Sequence, residues 1–314
     1  EFVRQQETTG DFPGGLKDIN TDHPDAKEAL IRSFEYWIEV ADFDGFRIDT
    51  VKHIDRPEIA RNVRGFWGDF TDRMRAKAKA LGKQNFFIFG EGFDGNDELI
   101  GSYTFGGADG KGKFGRFDSM FYFAQKYRGI DTVFGAGAAA APTKNLECLY
   151  NSRTGRNPTD VWCQGQGYAA GPTYQNTPHA ASADGGIGLA PSQVMVNFLD
   201  NHDLPRFLFE KSNAGVLHAA LAFLLTWDGL PCIYYGTEQS FAGGVDPKNR
   251  EDMWLGNPAQ SLKPFATDHD QFKYTAGLIE LRKKHSALRR GRVEPKWSTT
   301  VAGPRRDAGI FAFE

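Results

Sequence analysis

Three acidic residues stand at or just past the ends of apolar runs. Asp49 closes Gly45-Phe46-Arg47-Ile48-Asp49, and Glu91 follows Phe86-Phe87-Ile88-Phe89-Gly90. Asp203 lies shortly after Val194-Met195-Val196-Asn197-Phe198-Leu199. Short, mainly apolar runs of this kind read as strands, so each carboxylate falls at or near a strand-to-loop junction. In a β/α barrel the C-terminal strand ends converge on the active site. Three carboxylates delivered there suit glycosidic bond cleavage, which needs one as nucleophile and one as proton donor around an oxocarbenium-like transition state. The competing explanation is that each merely caps the helix that follows. Their neighbours favour the chemistry. Arg47 lies two residues before Asp49 and so on the same strand face. A fixed cation there favours the charged carboxylate that a nucleophile must be. Glu91 ends an aromatic and aliphatic run, and a desolvated setting favours the protonated form that a donor must be. Asn201-His202-Asp203 adds a carboxylate and neutral groups able to bind sugar hydroxyls.

Around these positions the sequence resembles the α-amylase family, glycoside hydrolase family 13. Gly45 to His53 is similar to its nucleophile stretch, Phe89-Gly90-Glu91 to its acid/base stretch, and Phe198 to Asp203 to its third-carboxylate stretch. Leu16-Lys17-Asp18-Ile19-Asn20 is similar to the short calcium-associated stretch upstream of the nucleophile. The resemblance implies that Asp49 is the nucleophile with Arg47 as its partner, and that Glu91 is the proton donor. It implies that Asp203 grips the sugar hydroxyls and stabilises the transition state, while His202 binds the same ring. Lys52 and His53 resemble the pair that meets sugar on the leaving-group side in starch-acting members. Gly229 to Gln239 and then Ala242 to Glu251 resemble the last barrel strand and loop of secreted, fungal-type α-amylases. By that resemblance Asp246 and Arg250 bind sugar in the cleavage subsite; the alternative is a surface ion pair at i, i+4, worth little. Calcium is implied too, with the Asp18 carboxylate and the His53 backbone carbonyl as hard oxygen ligands. Its remaining ligands would fall outside this chain.

The elements that must carry these residues alternate between helix and strand. Pro24, a favoured first-turn residue, opens a helix to about Ala41, with Leu30, Phe34, Trp37 and Ile38 on one face. A second helix is predicted from about Pro57 to Ala80, with strands at 45–49, 86–89, 117–122, 194–199 and 232–235. Helices at about 214–227 and 271–285 complete the pattern. Apolar strands alternating with helices imply a parallel sheet covered on both faces. The resemblance makes this the (β/α)8 TIM-barrel catalytic domain, α/β in class and incomplete at its N-terminus, because it begins near the fourth barrel strand. Residues 1–23 then read as irregular, the end of an inserted calcium-associated domain or loop. Residues 24–285 read as five βα units, with a loop excursion at about 130–190 over an active-site face. Residues 286–314 read as the start of a C-terminal antiparallel β domain.

Composition removes other classes. Of 314 residues, 40% are hydrophobic and 25% charged, which excludes a disordered chain. A net charge of −3 leaves no basic surplus for nucleic acid. The most apolar run, Gly215 to Trp227, is too short to span a bilayer. Cys148 and Cys163 lie 15 residues apart and are able to pair in an oxidising compartment, whereas Cys232 reads as a buried free thiol. The expected protein is a monomeric endo-acting hydrolase of α-1,4-glucosidic bonds in starch-like α-glucans. Extracellular or periplasmic location follows from the resemblance. Two alternatives share the motifs: a cyclodextrin-forming transglycosylase, and a non-catalytic α-glucan-binding relative. The presence of all three carboxylates argues against the last.

Overall fold

The computed structural model describes residues 2–10, 15–56, 65–106, 117–135, 140–179, 186–211, 213–253 and 265–314. In chain order the principal elements begin with α1 (Phe2–Thr9), α2 (Pro24–Ala41), β1 (Gly45–Ile48), α3 (Gly65–Ala80) and β2 (Phe87–Gly90). They continue with α4 (Asp97–Ser102), β3 (Ser119–Met120), α5 (Lys144–Thr154), β4 (Val196–Phe198) and α6 (Ala214–Thr226). The last are β5 (Leu230–Cys232), α7 (Asp270–Lys284), β6 (Pro295–Trp297) and β7 (Ala312–Phe313). The chain forms two compact units: Glu1–Phe123 with Tyr150–Met195, and Ala124–Leu149 with Val196–Glu314.

In the first unit, β1, β2 and β3 make a parallel sheet in that order, with Arg47 opposite Phe89 and Gly90 opposite Met120. Parallel neighbours need a crossover, and α3 supplies the one between β1 and β2. Its buried residues Phe66, Phe70, Met74 and Ala78 recur at helical spacing, as the sequence predicts for the part from Gly65 onward. The predicted start of this helix at 57–64 lies outside the described residues. Helix α2 begins as expected, with Pro24 in its first turn and His23 accepting a hydrogen bond from the Asp25 amide. Ile31 and Ile38 are its buried positions, while Trp37 is half exposed and stacks on Phe43.

A buried carboxylate fixes the middle of this sheet. Asp118 accepts from the Ile88 amide at 2.9 Å and returns its own amide to the Ile88 carbonyl. The same side chain meets Arg75 of α3 at 3.3 Å and His179 Nδ1 at 3.2 Å. His179 lies flat against Phe105, with ring centroids 3.7 Å apart. Strand β2, helix α3 and the segment through His179 are thus joined at one desolvated point.

In the second unit β4 and β5 pair in parallel, and β6 and β7 pair antiparallel. Strand β4 is buried throughout. Helix α6 contributes Leu217, Ala220, Leu221, Leu224 and Leu225 to the core, and Arg282 of α7 caps its end by donating to the carbonyls of Leu225, Trp227 and Gly229. Trp227 packs against Phe223, Phe311 and Phe313.

Three expectations need correction. Residues 1–23 are not wholly irregular, because α1 occupies Phe2–Thr9. The excursion at 130–190 holds α5 and a short helix at Val161–Gly165, the latter capped by Asp160. The strand expected at 232–235 is instead β5 at Leu230–Cys232. The chain leaves the ladder there because Tyr234 and Tyr235 spend their carbonyls on the Thr237 amide and on Arg206, and Gly236 turns with φ of 87°.

Removing Asp118 takes a shared buried carboxylate from Arg75 and His179, and an acceptor from the Ile88 amide. Asp118→Ala is therefore expected to lower the unfolding free energy by about 3–5 kcal/mol. Urea denaturation checks this, and a loss below about 1 kcal/mol would contradict the central role given to this carboxylate.

Candidate active site

Each unit carries its own set of the predicted residues. In the first unit β1 delivers Arg47 and Asp49 from one face, and the guanidinium contacts the Asp49 carboxylate. Arg47 also lies over the Phe121 ring, 5.8 Å from its centroid. Asp49 keeps 60% of its side-chain surface exposed, so the Arg47 contact leaves the carboxylate open to a ligand. Immediately beyond, Thr50 adopts a left-handed conformation with φ of 50°, rare for a β-branched residue. That turn ends the strand and starts the 3-10 turn Val51–His53.

Glu91 answers Asp49 across the β1–β2 ladder. Its amide donates to Ile48 and its carbonyl accepts from Val51. Its side chain, with the residue only 4% exposed, accepts from the Thr50 amide at 3.3 Å. The proton-donor candidate is therefore hydrogen-bonded to the residue next to the nucleophile candidate. Gly90 makes this possible: a Cβ there would fall 2.7 Å from both Val51 Cγ2 and Met120 Sδ. The Trp67 indole fixes the same turn by donating to the Val51 carbonyl at 3.0 Å.

Lys52 and His53 face α1. Lys52 Nζ lies 3.2 Å from Glu7 and 3.3 Å from Asp94, and His53 Nδ1 lies 3.2 Å from the Glu7 carbonyl. Asp18 is exposed. Among the described residues no three His, Cys, Asp or Glu side chains gather as a metal donor set. The described side chains do not make a calcium site by themselves.

The second unit gathers all four of its predicted residues. His202 Nε2 lies 3.1 Å from Asp203 Oδ2, and Arg250 reaches Asp203 Oδ1 at 3.4 Å. Arg250 also pairs with Asp246 at 2.8 Å and donates to the His202 carbonyl at 3.1 Å. The i, i+4 pair is thus part of a network centred on Asp203, and all four side chains remain open to solvent. Asp200 anchors the segment from below. Its buried carboxylate accepts from the Phe207 amide and the Thr237 hydroxyl, and burial pushes its pKa above the ordinary carboxylate value.

Several contributors escaped the sequence reading. Arg206 is buried, with its guanidinium 4.0 Å from the centroid of the Tyr234 ring. It donates to Glu251 and to the Tyr235 carbonyl. Burial pushes the Tyr234 phenol up to about 12. Glu251 accepts from the amides of Ala242 and Gly243, closing the loop that carries Asp246. Gly243 is required there, because a Cβ would fall 1.8 Å from the Lys248 carbonyl oxygen. The sequence Asp203-Leu204-Pro205-Arg206 signals a cation near the carboxylate, yet nothing in it signals that the cation is buried under tyrosines.

Comparison with known proteins gives similarity at the level of sequence and fold. Residues 7–135 match the family model for the α-amylase catalytic domain. The chain is 30% identical over 254 residues to α-amylase 3 of Schizosaccharomyces pombe, covering 80% of this chain and 34% of that protein. It is 28% identical over 286 residues to a cyclomaltodextrin glucanotransferase of a Bacillus species, covering 90% and 30%. Among solved structures, an α-amylase from Anoxybacillus superposes with a TM-score of 0.66 at 26% identity, covering 95% of this chain and 52% of that one. The chain spans about a third of the length of these two curated relatives. The motifs, the parallel strands that carry them and these similarities lead to one conclusion: residues 7–135 are similar to the α-amylase catalytic domain, and the chain has the fold of about half of an α-amylase built on a (β/α)8 barrel.

Proposed function

We propose that the protein is a retaining glycoside hydrolase that cleaves internal α-1,4-glucosidic bonds of starch-like α-glucans. The observation that carries this reading is the pairing of an open carboxylate, Asp49, with a buried one, Glu91, on adjacent parallel strands. Two carboxylates in contrasting surroundings are the requirement for a nucleophile and a proton donor. Asp49 attacks the anomeric carbon as Glu91 gives its proton to the departing glycosidic oxygen. The glycosyl–enzyme ester is then opened by water, whose proton returns to Glu91. Arg47 offsets the charge of Asp49 before attack. Asp203, held by His202 and Arg250, binds the hydroxyls of the distorted sugar, with Asp246 on the same network.

Lys52 and His53 are assigned to sugar on the leaving-group side, where the Lys52 ammonium would exchange Glu7 or Asp94 for a hydroxyl. Calcium belongs to the proposal as a structural ion, with the Asp18 carboxylate and the His53 carbonyl among its ligands. Calorimetric titration with calcium tests it. Extracellular or periplasmic location is supported by Cys148 and Cys163, which are disulfide-bonded while Cys232 is free. Among the described residues no helix is long and apolar enough to cross a membrane. The protein is assigned as a monomer.

A transglycosylase that closes the glycosyl–enzyme with a sugar hydroxyl instead of water is the second reading, favoured by the likeness to a cyclomaltodextrin glucanotransferase. Product analysis separates the two: linear maltooligosaccharides support hydrolysis, and cyclic ones support transfer.

Two substitutions test the roles. Glu91→Gln is expected to cut turnover of maltoheptaose by about 10²–10⁴-fold with the thermal midpoint kept, and unchanged turnover would refute the proton-donor role. Asp49→Gly removes the nucleophile and opens its side of the sugar. Added azide should then restore bond cleavage and yield the β-glycosyl azide; an α-azide, or no rescue, would count against Asp49 as nucleophile.

A further inference from the structure

Asn249 lies between Asp246 and Arg250 in sequence, yet it is fully buried where they are open. Its Nδ2 donates one hydrogen bond to the His202 carbonyl at 2.7 Å and a second to the Leu204 carbonyl at 2.9 Å. These two carbonyls flank Asp203 on either side. The Oδ1 atom makes no hydrogen bond among the described residues, so the side chain is engaged through its donors alone.

We propose that Asn249 is a positioning residue, which brackets the backbone on both sides of Asp203 and so aims that carboxylate at the sugar. The inference rests on the role given to Asp203 above. The geometry separates Asn249 from its neighbours. Arg250 touches Asp203 directly and also donates to the His202 carbonyl, so it serves both charge and backbone. Asn249 reaches only the backbone. The Asp203 amide is already held by Asn201 Oδ1 at 2.9 Å. With the carbonyls before and after it fixed by one nitrogen, the peptide units around Asp203 have little freedom to rotate. An amide nitrogen is the smallest neutral group that offers two donors from one atom. Aspartate has the same shape but, when ionised, turns acceptors toward both carbonyls. Leucine has similar size but leaves both carbonyls without this donor.

A double-mutant cycle on the full protein tests this, with maltoheptaose as substrate and thermal midpoints measured for every variant. Asn249→Leu is expected to lower kcat on the order of 10²-fold, the scale of a small misplacement of a catalytic group. KM should stay within about threefold, because the Asp203 contact is made chiefly in the transition state. Adding Asn249→Leu to Asp203→Asn should lower kcat by less than about threefold more, since the carboxylate it aims is already gone. Independent, multiplying losses would overturn the inference and leave the Asp203 assignment standing. Full turnover by Asp203→Asn would overturn that assignment and this inference with it. Should Asn249→Leu not fold, the near-isosteric Asn249→Asp carries the same cycle and the same expected outcomes.

Discussion

The Asp118 carboxylate is surrounded by the Ile88 amide, the Arg75 guanidinium and the His179 imidazole, with almost no solvent. A charge so buried is tolerated only when its partners hold fixed positions, because losing one partner exposes the full desolvation cost. That requirement turns a polar residue into a constraint on the fold. It locks strand β2 to the segment leading into β3, and it locks both to α3. Three residues beyond Ile88, just past the end of the same strand, stands Glu91, so the proton-donor candidate inherits its position from this point. The backbone then carries the constraint across to β1, where Glu91 and Ile48 share a ladder hydrogen bond and the turn after Asp49 begins. Close packing around Gly90 leaves that junction little room to move.

The two sets of candidate residues are built by different means. In the first unit the carboxylates are set by main-chain geometry: a parallel register, a left-handed Thr50 and an amide donated to Glu91. In the second unit they are set by side-chain charge, with Arg250 shared between Asp203, Asp246 and the His202 carbonyl. An open charge network is worth little to stability. It is suited instead to a ligand rich in hydroxyls, which exchanges hydrogen bonds with charges already held in place. The buried layer beneath, made of Asp200, Arg206 and Asn249, supplies the rigidity that the open layer lacks.

Much of this was legible in the sequence because it depends on local pattern. The runs around Ile48, Ile88 and Phe198 announce buried strands, and the carboxylates at their ends follow from them. Pro24 and the spacing of Leu30, Phe34, Trp37 and Ile38 announce α2, although Ile31 is buried and Trp37 half exposed. The pairing of Arg47 with Asp49 follows from strand alternation alone. What was not legible depends on contacts between residues distant in sequence. Asp118 reads as an ordinary charge in Phe117-Asp118-Ser119 until Arg75 and His179 are brought to it. Helix α1 lacks a strong apolar stripe, and β5 ends earlier than its apolar residues suggest because Tyr234 and Tyr235 are drawn into the network of Arg206. Asn249 looks like one more polar loop residue between two charged ones, and only its contacts to His202 and Leu204 reveal its place.

Covalent trapping tests the central claim most directly. A 5-fluoroglucosyl fluoride slows both glycosylation and deglycosylation, while its fluoride leaving group lets the first outrun the second, so a retaining enzyme accumulates the glycosyl ester on its nucleophile. Digestion and mass spectrometry of the treated protein should place the added sugar on Asp49. A label on Glu91 or on any other residue, or continued turnover of α-glucan with no label formed, would contradict the account.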